Sequence, residues 1–232
     1  MLANKLKVWT QKSSFFLRAA VWIFNALPFV NKIRLGKGNS FKRSLVLLKG
    51  TDVKIKGKAN VISVLPGTRL INCSIRIFGN SNKVFIGGFC ALKDVEIWIE
   101  NDTNELVIGE RTTFAGKTHI SCIEGTKVDI GQDCMFSANI TLRTGDSHSI
   151  TDLSGKRINP SQSIQIKDHV WVGNSTIITK GVAVSENSVI GTGSVVTRKF
   201  QESNVVLAGN PASVIKRDIS WDRRRLPIKE CL

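Results

Sequence analysis

The sequence predicts an all-β fold, a parallel β-helix, on three observations. Ile166, Val172, Ile178, Val184, Ile190 and Val196 recur every six residues. Four positions after each stand Val170, Thr176, Val182, Ser188, Ser194 and Phe200, five of them small or β-branched. Upstream, Ile86-Gly87, Ile108-Gly109 and Ile130-Gly131 are spaced by 22 residues, while Val172-Gly173 and Ile190-Gly191 are spaced by 18. A period of six is neither helical nor the alternation of a plain strand. It suits short flat strands on the sides of a coil, each coil resting its aliphatic residue on the one below. Eighteen residues make a coil of three hexads, and 22 add a turn insertion of four.

Residues 1–44 predict a basic amphipathic helical segment. Leu2, Leu6, Trp9, Phe16, Ala20, Ile23, Leu27 and Val30 follow three- and four-residue spacing, with a gap at Ser13 and an interruption at Pro28. Arg18, Asn25 and Pro28 argue against a spanning helix, because an arginine at a helix centre costs about 2.5–3.5 kcal/mol on insertion scales. No small-x-small cleavage site follows the apolar run. Residues 1–58 hold thirteen of the 33 Lys and Arg and one acid, Asp52, so most of the net charge of +15 lies there. Such a region suits nucleic acid, anionic lipid or a polyanionic substrate. No zinc-finger spacing or RNP-like motif is present and no Tyr is available to stack bases, which excludes nucleic acid. The segment either packs on the β-helix or a neighbouring subunit, or lies in the headgroup region of an anionic membrane, helped by Lys5, Lys7, Lys12, Lys32, Arg34 and Lys37.

Residues 45–200 are expected to form the β-helix, its first coils ragged around Val53, Ile55, Val61, Ile71, Ile75 and Ile77. Between residues 143 and 163 the repeat vanishes into a polar stretch rich in Gly, Ser and Asp, with His148 flanked by Asp146 and Asp152. A long excursion from a solenoid is usually functional. Residues 201–232 form a C-terminal extension in which Ser220, Trp221 and Asp222 fit a closing helix, and Arg223 to Arg225 read as a solvated charge run. Five cysteines without CxxC spacing point to free thiols in a reducing compartment, hence a cytoplasmic protein, peripheral at the inner membrane if the basic segment binds it.

DHVWVGNSTIITKGVAVSENSVIGTGSVVTRKF (168–200) and AGNPASVIKR (208–217) resemble the hexapeptide-repeat acyltransferases over about residues 105–217. The resemblance implies a left-handed β-helix, a homotrimer, and acetyl-coenzyme A as acyl donor lying between adjacent prisms, with no metal. It implies His148 as general base and Trp171 as an active-site wall. Asn174 and Thr192 resemble residues along the pantetheine arm, and Thr197, Arg198 and Lys216 resemble positions near the nucleotide phosphates. Lys117 and His119 stand where relatives place an acceptor-binding asparagine, which is absent here.

The chemistry also stands alone. Acetylating an alcohol requires a base for its proton, and a histidine, with an ordinary pKa of about 6.5, can accept one at neutral pH. Asp146 or Asp152 could orient it. A backbone N–H could receive the oxyanion, and cationic side chains suit phosphates. No cysteine lies in the His148 loop, which disfavours a covalent acyl-enzyme. A short membrane-seeking start with a GDSHSI loop looks most like O-acetyltransferases of capsule, O-antigen or exopolysaccharide, acting on a polysaccharide acceptor or its precursor. Acetylation of a small molecule (an antibiotic, a free sugar or serine) and a non-catalytic scaffold are the alternatives.

Overall fold

The computed structural model describes residues 31–227 and, before them, Val21 alone. Most of the expected amphipathic segment and the end of the tail lie outside the described residues. Twenty-four strands run from β1 (Lys32–Arg34) to β24 (Ala212–Lys216) and form three sheets of eight, seven and nine strands. These are the three faces of a left-handed parallel β-helix. Up to β22 the chain visits the first, second and third face in turn, and each of these strands pairs in parallel with its counterpart one coil away.

The register explains the spacing of the aliphatic residues. Ile86, Ile108, Ile130 and Ile166 sit side by side on the second face, and the step from Ile130 to Ile166 absorbs the excursion. On the third face Val172 pairs Ile190, and on the first Ile178 pairs Val196. All six hexad aliphatics are 1% exposed or less. Burying each contributes roughly 2 kcal/mol, so the stack rather than any local propensity holds the coils together. The positions four residues later are buried too, and their size has a second cause. Thr176 Oγ1 donates to Gly173 O at 2.8 Å and Ser194 Oγ to Gly191 O at 2.7 Å, so small hydroxyls bind carbonyls that the tight turns would leave orphaned.

Along the edge between the first and second faces, in the early coils, side-chain amides do this work. Asn60 Nδ2 donates to Asn39 Oδ1 (2.9 Å), Asn82 Nδ2 to Asn60 Oδ1 (3.0 Å) and Asn104 Nδ2 to Asn82 Oδ1 (3.0 Å). Thr126 N continues the ladder to Asn104 Oδ1, and Thr126 Oγ1 donates to Thr144 Oγ1 at 2.7 Å. Gly57 and Gly79 turn this edge at φ of +130° and +145°. A Cβ on Gly57 would stand 1.8 Å from Gly79 O, so nothing larger fits.

Two expectations need correction. The β-helix begins at Lys32 rather than residue 45, with β2 (Ser40–Arg43) also inside the segment expected to be helical. Ile33 and Phe41 pack against the core while charged neighbours face out, a period of two hidden among lysines and arginines. The C-terminal extension forms no helix among the described residues. It forms β23 (Val206–Gly209), parallel to β21 (Val189–Ile190), and then β24, antiparallel to β23. Residues 218–225 form an irregular strap, because Trp221 is committed to a ring stack with His169.

Candidate active site

The break in the repeat lies between β16 (Ile140–Arg143) on the first face and β17 (Ile164–Ile166) on the second. It therefore leaves the prism at the edge carrying the asparagine ladder, and Thr144, the last rung, is its root. The excursion is a finger. Ile158 N donates to Ile150 O at 2.8 Å, Thr151 bridges Arg157, and Asp152 caps the tip by accepting from Ser154 N, Ser154 Oγ and Lys156 N. Leu153 at the tip is fully exposed and Ile150 and Ile158 are largely so, an apolar surface with no cover from the described chain.

Coils on both sides clamp the finger. From below, Glu124 accepts from Arg157 Nη1 at 2.7 Å and from Ser161 Oγ at 2.8 Å. From above, Lys180 Nζ donates to Asp146 Oδ2 at 2.5 Å. The Arg157 and Ser161 donors hold the Glu124 carboxyl below the usual carboxylate range, and Lys180 first, then Asn159, do so for Asp146.

His148 is exposed within this clamp, and its imidazole makes no hydrogen bond or ion pair among the described residues. Its backbone is held: His148 O accepts from Asn159 Nδ2 at 2.8 Å, and the preceding Ser147 Oγ accepts from Arg143 at 2.9 Å. Neither carboxylate considered for orienting the ring does so. Asp146 is engaged by Lys180 and Asn159, and Asp152 by the finger tip.

The other expected residues divide among the edges and faces. Thr197 and Arg198 follow β22 (Val195–Val196) at the His148 edge, two coils above the finger, with the Arg198 guanidinium 5.2 Å from the Phe200 ring centre. Asn174, Thr192 and Lys117 lie on the edge joining the third and first faces. His119 is on the first face, its Nδ1 2.9 Å from Glu96 Oε2. Lys216 is on β24 at the margin of the third face. Trp171, the first residue of β18 (Trp171–Val172) on that face, is half-exposed. Its Nε1 donates to Ser137 Oγ at 3.4 Å, and its ring lies tilted 6.1 Å from that of Trp221. A single prism thus brings His148 together with Thr197 and Arg198 along one edge, but not with Trp171, Asn174 or Thr192.

No family model matches the chain. Among characterised proteins, a polysialic acid O-acetyltransferase of Neisseria meningitidis is 32% identical over 179 residues, covering 77% of this chain and 82% of its own. This chain belongs to the hexapeptide-repeat O-acetyltransferases. A polysialic acid O-acetyltransferase of Escherichia coli O1:K1 is 37% identical over 121 residues, though this O-acetyltransferase spans only 39% of that relative's length. The solved polysialic acid-specific acetyltransferase NeuO superposes with a TM-score of 0.78 at 33% identity, covering 84% of this chain and 90% of the other. The polysialic acid O-acetyltransferase OatWY gives 0.61 at 31% identity, covering 84% and 89%.

Beside the finger this O-acetyltransferase has an open cleft of about 490 Å³ on the second face. It runs from Ser163 and Gly181 at the His148 edge to Lys199 and Phe200, with Lys127 and Lys167 along it. Cations around a concave wall next to Arg198 suit a ligand bearing phosphates. The four described cysteines offer no nucleophile. Burial pushes the Cys73 and Cys90 thiols to about 11 and that of Cys134 to about 12, and Cys122 also rises.

Sequence reasoning missed Asn159, Lys180, Glu124 and Arg223. Only Arg223 carried a signal, as part of a basic run, and its guanidinium is engaged rather than solvated. It reaches Asp133 Oδ1 (2.8 Å), Thr113 Oγ1 (2.9 Å) and Cys134 O (2.8 Å).

Proposed function

We propose that the enzyme transfers the acetyl group of acetyl-coenzyme A to a hydroxyl of a bacterial surface polysaccharide, with His148 as general base. The observation that carries this is the exposed imidazole of His148, without a partner among the described residues, on a finger whose backbone is held from the coils above and below. Such a ring is free to meet a substrate hydroxyl. His148 would accept the hydroxyl proton as the oxygen attacks the thioester carbon. The tetrahedral intermediate would then collapse, breaking the C–S bond and releasing coenzyme A, which takes up the proton as its thiol.

Thr197, Arg198 and Lys216 are proposed to meet the nucleotide phosphates of the donor, and Asn174 and Thr192 its pantetheine arm. Trp171 is proposed to wall the site, and Lys117 and His119 to meet the acceptor. Because these groups occupy different edges of one prism, a complete site calls for a second copy, which supports a homotrimer. The exposed Leu153, Ile150 and Ile158 are suited to cover by a neighbouring copy. The named relatives make polysialic acid, with a carboxylate on each residue, the first acceptor to test, and the net charge of +15 favours such a polyanion.

No described helix is long and apolar enough to cross a membrane. Peripheral attachment through residues 1–30 is proposed on their basic, amphipathic pattern, and their deletion is expected to release the protein from anionic vesicles. The central experiment follows coenzyme A thiol release with polysialic acid, neutral polysaccharides and small sugars as acceptors. Acceptor-dependent release with a polysaccharide, lost in His148→Ala, is expected. Equal turnover of a free sugar, or full activity of His148→Ala, would refute the proposal.

A further inference from the structure

We infer that Asn159 is the positioning residue for His148, an assignment that rests on His148 being the base. Asn159 is 6% exposed, yet lies on the excursion and outside the prism core. A buried amide must place two donors and two acceptor lone pairs, and Asn159 uses all four. Nδ2 donates to His148 O at 2.8 Å and to Asp146 Oδ2 at 2.8 Å. Oδ1 accepts from Ile150 N at 2.8 Å and from Arg157 Nε at 3.2 Å.

These partners bracket His148. Asp146 lies two residues before it and Ile150 two after, while His148 itself is held by its carbonyl. One side chain therefore ties together the backbone of His148 and Ile150 and the carboxylate of Asp146, around the exposed imidazole. Its partners are anchored in turn, Asp146 through Lys180 in the coil above and Arg157 through Glu124 in the coil below. Lys180 Nζ also reaches the backbone carbonyl of Asn159 at 3.3 Å. The imidazole hangs from a frame spanning three coils, with Asn159 at the crossing point.

No other side chain of similar size can replace this amide. Aspartate keeps the acceptors but loses both donors and sets a charge against Asp146. Leucine keeps the volume and loses all four bonds. A base displaced by about 1 Å can cost on the order of 10²-fold in rate, while the cleft on the second face, which takes only Ser163 from the excursion, should be largely unaffected.

The test measures kcat, both KM values and thermal midpoint for Asn159→Asp, Asn159→Leu, His148→Ala and His148→Ala/Asn159→Asp. Expected is a fall of about 10²-fold in kcat for both single Asn159 variants, with KM for acetyl-coenzyme A within about twofold. The double variant should be no slower than His148→Ala, because a residue acting through the imidazole has nothing left to position once it is gone. Near-normal kcat in both Asn159 variants beside an inactive His148→Ala would overturn the positioning role alone. So would a further proportional loss in the double variant, which would mean that Asn159 acts elsewhere or on folding. Full activity of His148→Ala would overturn this role together with the assignment of the base.

Discussion

His169 and Trp221, 52 residues apart in sequence, lie ring on ring with centroids 4.0 Å apart and planes inclined by 8°. Trp221 Nε1 donates to His169 O at 2.9 Å, His169 Nε2 lies 3.2 Å from Trp221 O, and His169 Nδ1 lies 2.9 Å from Asp133 Oδ2. This contact ends the β-helix in place of a helical cap. It folds the C-terminal strap across the edge between the second and third faces, next to Trp171.

Arg223 locks the strap through Asp133, Thr113 and Cys134 O. Burial alone would raise the Asp133 carboxyl, but hydrogen bonds from Arg223 and His169 bring it below the ordinary range. Arg223→Ala leaves a partly buried carboxylate short of one cation, while Cys134 O keeps its bond from Thr113 N, so the cost is about 1–3 kcal/mol. Urea denaturation should show the loss, and limited trypsin digestion should cut at Arg217 or Arg224 sooner than in the parent. An unchanged midpoint and digestion pattern would mean that the strap is held by the ring stack alone.

The asparagine ladder gives a second expectation. Asn82 accepts from Asn104 N (2.8 Å) and Nδ2 (3.0 Å) while donating to Asn60 Oδ1 and Asn101 O. Asn82→Leu fits the volume but strands several buried polar atoms, so a loss of about 3 kcal/mol is expected. A variant as stable as the parent would show that water replaces the lost rungs.

The hexads from Ile166 to Val196 were legible because each coil there is three equal sides without insertions, so burial maps onto sequence at a fixed interval. The first coils were not, since Lys32 and Arg34 flank Ile33 and leave one inward residue on a three-residue strand. The finger was legible because a polar break in a regular repeat is conspicuous. The frame around it was not: Lys180 lies 34 residues from Asp146 and Glu124 33 residues from Arg157, and only coil stacking brings each pair together. The same holds for the strap. Ser220 to Asp222 carry helix-starting residues, but the nonlocal stack on His169 outweighs that weak local preference.

The cysteines test the absence of a covalent intermediate. Burial raises the four described thiols, to about 11 at Cys73 and Cys90 and about 12 at Cys134, leaving almost no thiolate at neutral pH. With Cys231 replaced by serine, the native enzyme is expected to resist iodoacetamide at pH 7.5 and keep its activity. Loss of activity tracking alkylation at any of the four would revive a thiol mechanism.

The pH profile separates the two parts Asp146 could play. Its carboxyl lies below the usual range because Lys180, and then Asn159, donate to it. A depressed carboxyl contributes its stability above the unfolded value of about 3.9 and loses it only as pH falls through the lower folded value. The finger clamp is therefore intact from about pH 5 upward, so an acid limb in kcat/KM above that range does not come from loss of the clamp. Asp146→Asn keeps an oxygen for Lys180 but removes the charge, so kcat should fall several-fold while the acid limb stays in place. Had Asp146 faced the base, losing its charge would move that limb to lower pH. The position of the limb in Asp146→Asn, read from kcat/KM between about pH 5 and 9, decides between a carboxylate that holds the finger and one that holds the ring.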